Sequence, residues 1–223
     1  MGGGLAINTQ QYDFFAVEEK RAFMDKYKRF NIGFSGGDAE DRPDLERFIC
    51  NSYRLAYGAQ VKQFMPLLVS LRNAKGDLLA VCGFRHAGTE KLFLETYLDE
   101  PIEDILTLKS GGRVAREDIV EVGNFAAFRP GMSRHMIAVL AAYIHEIGTK
   151  WIVFTATPGI RNAWAKLGIG LIPVCRANKE RLDPACRDEW GNYYDGSPYV
   201  MAGNVPENYS ILLDNMRLVE ILP

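Results

Sequence analysis

The chain has 223 residues, 48% hydrophobic and 24% charged, a composition that suits one folded domain and excludes a disulfide-stapled mini-scaffold, a disordered tail or a fibrous repeat. Its 26 Lys and Arg are offset by 28 Asp and Glu, so no net field is available to hold a polyanion and nucleic acid is not an expected partner. The four cysteines, Cys50, Cys82, Cys175 and Cys186, form no C-x-x-C pair, and free thiols in a reducing cytoplasm are the simplest expectation.

Residues 1–30 open on Met1-Gly2-Gly3-Gly4, lack the basic start and apolar core of a secretory signal, and are expected to form a leader. A stretch of Gly, Ser and Asp runs from Gly33 to Asp41, and Arg42-Pro43-Asp44 then carries a helix-start signal. The helix should reach about Tyr57, with Leu45, Phe48, Ile49, Ser52, Leu55 and Ala56 on one side and Gly58 closing it. Met65 to Leu71 and Leu78 to His86 flank the turn residues Asn73 to Asp77 and predict a β-hairpin.

Lys91 to Leu98 alternates with period two and reads as a third strand; a short helix should run from Asp99-Glu100-Pro101 to near Gly111. Ile119 to Phe128 is the fourth strand, Ser133 to Gly148 a helix apolar nearly all round, Trp151 to Thr157 the fifth strand, Pro158 to Leu167 a helix and Leu171 to Val174 the sixth strand. Met136 to Ile147, the most apolar run, is too short to cross a bilayer, so no transmembrane segment is expected. An antiparallel first half and a strand-helix-strand second half predict a mixed α/β fold with parallel neighbours joined by crossovers. The expected organisation is a core over 31–177 and an irregular C-terminal extension over 178–223, packed on the core.

Several groups of residues could carry chemistry. Phe128-Arg129-Pro130-Gly131-Met132-Ser133-Arg134 joins a strand to a helix, where unpaired N–H groups and the helix dipole favour an anion; an ordinary capped loop is the equal alternative. Glu121 lies inside the apolar run Ile119-Val120-Glu121-Val122, where burial would raise its pKa or demand a partner. It is either a general base or a structural ion pair with Arg85. A bulge at Gly123 would bring Asn124 to the same side of the sheet as Glu121. Glu95, expected on the third strand, could reach Arg85 for pairing or for orienting a substrate. His86, His135 and His145 lack metal-ligand spacing, and no metal is assigned. Trp190, Tyr193, Tyr194 and Tyr199 either line a pocket or pack a weakly structured tail.

The order of elements, with Arg161-Asn162-Ala163 and Leu167-Gly168-Ile169 after the fifth strand, resembles the GNAT acyltransferase superfamily. Within it, Glu121-Val122-Gly123-Asn124-Phe125-Ala126, Phe154-Thr155-Ala156-Thr157, Arg161-Asn162-Ala163 and Trp190-Gly191-Asn192-Tyr193-Tyr194-Asp195 resemble the thermostable hemolysin family. The likeness to acyl-homoserine lactone synthases is more distant: Glu121 and Phe125 keep their pattern, while Asn124 stands where those enzymes carry Arg. The resemblance implies a GNAT-like sheet with antiparallel N-terminal hairpins, parallel strands four and five, and flanking helices. It also implies acyl transfer from a thioester to a small-molecule amine, with no permanently bound cofactor. The superfamily's phosphate loop is one residue longer than Arg129 to Ser133, so acyl-CoA and acyl carrier protein are equally fair donors.

On that resemblance Glu121 and Asn124 are catalytic candidates. Arg129, Gly131, Met132, Ser133, Arg134 and Asn162 would hold the thioester, and Arg85, Glu95 and Phe125 the substrate. A cytoplasmic catalyst, with a homodimer as an open assembly, is the leading expectation. A membrane-active hemolysin without enzymatic activity is the alternative that the family name implies.

Overall fold

The computed structural model describes residues 30–129 and 131–219, with the backbone alone for 216–219. The expected leader lies outside the described residues except for Phe30, as does Pro130 of the predicted anion loop. Seven strands form one sheet in the order β1-β2-β3-β4-β5-β7-β6. They are β1 (Phe30–Ser35), β2 (Leu67–Asn73), β3 (Leu78–His86), β4 (Ile119–Ala127), β5 (Trp151–Ala156), β6 (Ile172–Arg176) and β7 (Tyr199–Asn204). The helices are α1 (Arg42–Tyr57), α2 (Ile102–Ser110), α3 (Met132–Glu146), α4 (Pro158–Ala165) and α5 (Val205–Val219). β4 and β5 run parallel, and every other strand pair is antiparallel. The mixed α/β class, the hairpin and the parallel fourth and fifth strands therefore stand as the sequence predicts.

Four elements differ from the sequence reading. Lys91 to Leu98 is no strand: Phe93–Tyr97 coils into a 3-10 turn. Strand pairing leaves it no place, because β3 is already bonded to β2 and β4, and β4 to β3 and β5. β7 and α5 arise from the stretch expected to be irregular, and β7 lies between β5 and β6, antiparallel to both. The anticipated parallel contact between the fifth and sixth strands does not form. Tyr199-Val200-Met201-Ala202-Gly203 is buried on both faces, so it carries no polar-apolar alternation to announce a strand. Finally, β1 occupies the sheet edge where Gly33 is opposite Ser70; a Cβ at Gly33 would lie 2.7 Å from the Ser70 hydroxyl, so the glycine there is a packing requirement.

The two faces of the sheet bury different clusters. On one, α3, α4 and α5 cover Val69, Leu71, Phe84, Val120, Val122, Ile152 and Phe154. On the other, α1 packs Leu45 and Ile49 on Leu68, Val81 and Ala126, and farther along the turn Phe93–Tyr97 and α2 cover Ile119, Val153 and Val200. α1 presents its Leu45–Ile49 stripe inward and continues it with Tyr53 and Tyr57, while Leu55, expected on the inner side, is 84% exposed. Arg42 anchors the start of α1, donating to the carbonyl oxygens of Ser35, Met65 and Pro66.

The segment 184–197 is held against the C-terminal end of α1. Asn192 N–H donates to Tyr57 O at 2.9 Å, Gln60 N–H donates to Glu189 O at 2.6 Å, and Lys62 pairs with Glu189. Gly191 makes this approach possible: its φ is +51°, and a Cβ there would run into Tyr57 O and come within 2.9 Å of Gly58 C. We expect Gly191→Ala to destabilise the fold by about 1–3 kcal/mol, read as a lower midpoint in urea unfolding.

Candidate active site

The site is built where β4 and β5 part. Their parallel ladder joins Ile119–Val122 to Trp151–Phe154 and ends there, although β4 continues beside β3 to Ala127 and β5 beside β7 to Ala156. A bulge accompanies the separation. Gly83 is opposite Gly123 but Val81 is opposite Ala126, so β4 carries one residue more than β3 between these pairs, and Asn124 takes φ +50°. Asparagine is among the few residues other than glycine that tolerate this left-handed conformation.

The bulge places Asn124 on the Glu121 face, as the sequence argument required, but the Asn124 amide is already engaged. Its Oδ1 accepts the Met65 N–H at 2.7 Å and its Nδ2 donates to Gln63 O at 3.2 Å. Gly83 and Gly123, side by side, form the seat of the Met65 side chain; a Cβ on either would collide with it.

Where the strands part lies a cavity of about 60 Å3 lined by residues from both faces of the sheet. Val122, Gly123, Phe125, Phe154, Ile160 and Trp164 wall one end, and Tyr53, Tyr57 and Tyr193 close the other. Thr155 and Thr157 complete the lining, and the Thr155 hydroxyl is buried with no hydrogen-bond partner among the described residues. The Tyr53 hydroxyl faces the backbone N–H of Phe125 in the bulge, and the Tyr193 hydroxyl donates to Thr155 O at 3.5 Å. Burial, reinforced by neighbouring tyrosines, pushes Tyr53 and Tyr193 well above the ordinary phenol value, so both are hydroxyl groups at neutral pH.

Glu121, 2% exposed, sits one position before the cavity wall on β4. Its Oε2 accepts the Phe93 N–H at 2.8 Å and its Oε1 accepts the Leu94 N–H at 2.9 Å. These donors are the first N–H groups of the turn that replaces the expected third strand. Burial raises the carboxyl to about 7, against the opposing effects of those two N–H groups and the Arg85 guanidinium; the Glu95 charge adds to the rise. Arg85 is directly across the ladder from Glu121, with its Nε 3.2 Å from Glu90 and its Nη1 donating to Lys91 O.

Glu95 does not reach Arg85 as expected. The 3-10 turn swings it to Arg116, which grips it through two hydrogen bonds of 2.7 and 2.9 Å and also bonds Glu103 at 2.8 Å. Burial opposes the Glu95 charge, but Arg116 and the N–H groups of Leu92 and Ile102 outweigh it and hold the carboxyl below its ordinary value.

Of the six residues expected to hold a thioester, all but Asn162 lie at or just before the start of α3. Gly131 caps the helix with φ +96°, Met132 begins it, Ser133 is half-buried and Arg134 is exposed. Exposed Arg129 lies over the Phe128 ring, 5.3 Å from its centroid. Asn162 is exposed on α4, two residues from the cavity-lining Ile160 and Trp164.

Of the aromatic residues in the tail, Tyr193 lines the cavity. Trp190 and Tyr194 pack behind it, and Tyr199 lies under the Arg161 guanidinium. Sequence reasoning missed Tyr53 and Tyr57, whose signal was their i, i+4 continuation of the Leu45–Ile49 stripe.

Residues 36–209 match the thermostable hemolysin family, and the chain belongs to it. No curated protein matches significantly. Among solved structures, FeeM, an N-acyl amino acid synthase from uncultured soil microbes, is similar at 15% identity, covering 85% of this chain and 98% of its own with a TM-score of 0.59. The AHL synthase LasI is similar at 11% identity, over 82% and 94% of the two chains, with a TM-score of 0.56. BjaI, a CoA-dependent acyl-homoserine lactone synthase solved with SAM and isopentyl-CoA, is similar at 9% identity, over 84% and 90%, with a TM-score of 0.54. These likenesses show that the chain shares the fold of these three synthases.

The folded-state value of Glu121 stands above its ordinary 4.5, so the folded protein binds this proton more tightly than the unfolded chain does. The associated stability is fully present below about pH 4.5 and is lost as pH rises through about 7. At ~1.4 kcal/mol per unit the loss is about 3 kcal/mol. Urea unfolding across this range should show the decline in the wild type and lack it in Glu121→Gln.

Proposed function

We infer that the protein is an acyltransferase that moves an acyl group from a thioester of coenzyme A or of an acyl carrier protein to a small-molecule amine. The observation that carries this reading is the separation of β4 from β5 beyond Val122 and Phe154, which opens an aromatic-lined passage between them. A thioester arm laid between the strands would run beside backbone N–H groups of β4 that no longer face β5. Such preorganised donors, aimed at the carbonyl oxygen, stabilise the charge that develops there in acyl transfer. BjaI, which shares the fold, is CoA-dependent and was solved with an acyl-CoA. Gly131, Met132, Ser133, Arg129 and Arg134 are the residues that would receive the donor's phosphates, through the first N–H groups of α3 and two exposed guanidinium groups. Asn162 would border the arm from α4.

In this reading the amine attacks the thioester carbonyl. The carbon–nitrogen bond forms, the carbon–sulfur bond breaks, and the proton lost by the amine ends on the released thiol. Glu121 is the base that first accepts that proton. It keeps lone pairs beyond those committed to Phe93 and Leu94, and its raised pKa suits proton transfer near neutrality. Arg85 holds its charge in balance. Asn124 is assigned a positioning role, fixing the bulge through Met65 and Gln63, and Glu95 shapes the turn above Glu121 through Arg116. Phe125 would border the substrate from the end of the passage that it walls with Ile160 and Trp164. Thioesters of coenzyme A and carrier proteins are cytoplasmic metabolites, which makes the protein a cytoplasmic one in this reading.

Incubating the purified protein with acyl-CoA and acyl-carrier thioesters and a panel of amines should release thiol only when both substrates are present. Activity should rise with pH through about 7 as Glu121 ionises. Glu121→Gln should lower kcat by about 100- to 10,000-fold while retaining thioester binding. Dose-dependent lysis of red cells by the protein alone, with no thioester-dependent product, would overturn the reading in favour of a directly membrane-active protein.

A further inference from the structure

We propose that Tyr57 and Tyr193 act as a stop that restricts the donor to short acyl groups, of about two to four carbons; this rests on the acyl-transfer reading and specifies its substrate. On the second face of the sheet the passage meets aromatic rings. It ends against Tyr53 and Tyr57 of α1 and Tyr193 of the tail. At the ~10–15 Å3 that one water-sized group requires, the cavity of about 60 Å3 holds about four to six such groups, enough for an acetyl to butyryl group and too little for a chain of eight carbons or more.

The stop is fixed in place from several sides. The Tyr193 ring packs edge-on against Tyr57 at 5.1 Å and Tyr194 at 5.2 Å, tilts against Trp190 at 5.4 Å and stacks with Tyr53 at 6.3 Å. The Tyr57 carbonyl accepts the Asn192 N–H, and the Tyr194 hydroxyl is bonded to that of Tyr97. Gly191 permits this contact, since any side chain there would strike Tyr57 O. Admitting a long chain would therefore mean breaking the junction between α1 and segment 184–197, not turning one ring. Dense aromatic packing of this kind resists displacement because each ring forfeits contacts that no solvent replaces.

The test uses the full chain and acetyl, butyryl, octanoyl and dodecanoyl thioesters, each presented on coenzyme A and on an acyl carrier protein, with binding measured by titration calorimetry. The wild type should bind acetyl and butyryl thioesters at least about tenfold more tightly than dodecanoyl. Tyr57→Ala should shift the dodecanoyl-to-acetyl ratio about tenfold toward the long chain. Ile160→Phe, which fills the cavity from the opposite wall, should weaken butyryl relative to acetyl by about tenfold and keeps the test independent of whether Tyr57→Ala folds. Equal binding of all four lengths by the wild type would overturn the stop and leave the acyl-transfer reading intact. An unchanged ratio in folded Tyr57→Ala, or an unchanged butyryl-to-acetyl ratio in folded Ile160→Phe, would do the same. Absence of binding by every thioester on either carrier would overturn both.

Discussion

The bulge at Gly123 and Asn124 is the constraint on which the functional end of the molecule depends. One extra residue in β4 turns the strand away from β5, so the parallel ladder stops after four residue pairs and a gap opens in the middle of a continuous sheet. Several local features make the bulge tenable. Asn124 accepts the left-handed backbone, its amide satisfies Met65 and Gln63, and the paired glycines of β3 and β4 leave room for the Met65 side chain. Because Arg42 binds the carbonyl of Met65, the start of α1 is tied to the same point, and α1 in turn carries Tyr53 and Tyr57 to the far end of the gap.

Glu121 shows how one buried charge organises its surroundings. An unpaired carboxylate in an apolar strand would be costly, and here it is met by the two leading N–H groups of the Phe93–Tyr97 turn and by Arg85 across the ladder. The acid therefore fixes the turn, and the turn shields the acid from water and sustains its raised pKa. Glu95, two residues farther along the turn than the donating Phe93, has the opposite fate: a bidentate arginine keeps it ionised. Two carboxylates a short distance apart thus have pKa values driven in opposite directions by their partners, a separation that suits one for proton transfer and the other for support.

The C-terminal stretch is a structural part of the sheet and of the site. β7 completes the ladder between β5 and β6, α5 covers the helical face, and the segment before β7 returns to α1 to close the cavity with Tyr193. Its Gly, Pro and Tyr content reads as irregular because these residues serve tight turns and aromatic packing, which have no period. The same content makes the segment able to approach another backbone closely at Gly191.

Composition and near-zero net charge pointed to one folded domain without a polyanion site, and the local patterns located the β2–β3 hairpin, α1 to α4, and strands β4, β5 and β6 close to where they form. Those elements are legible because hydrophobic periodicity, Pro and Gly signals and buried runs are short-range properties of the chain. The acid in β4 and the bulge beside it were legible for the same reason: Glu121 interrupts an apolar run, and Gly123-Asn124 supplies residues able to break the alternation. Tertiary structure alone decided the rest. Whether Lys91 to Leu98 could be a strand depended on sheet edges already taken by β2, β4 and β5, and β7 found its place only because β5 and β6 left a gap between them. Likewise Glu95 found Arg116 in place of Arg85, and Tyr53, Tyr57 and Tyr193 met across more than a hundred residues of sequence, because partners of a buried charge or ring are set by three-dimensional proximity, which no local pattern encodes.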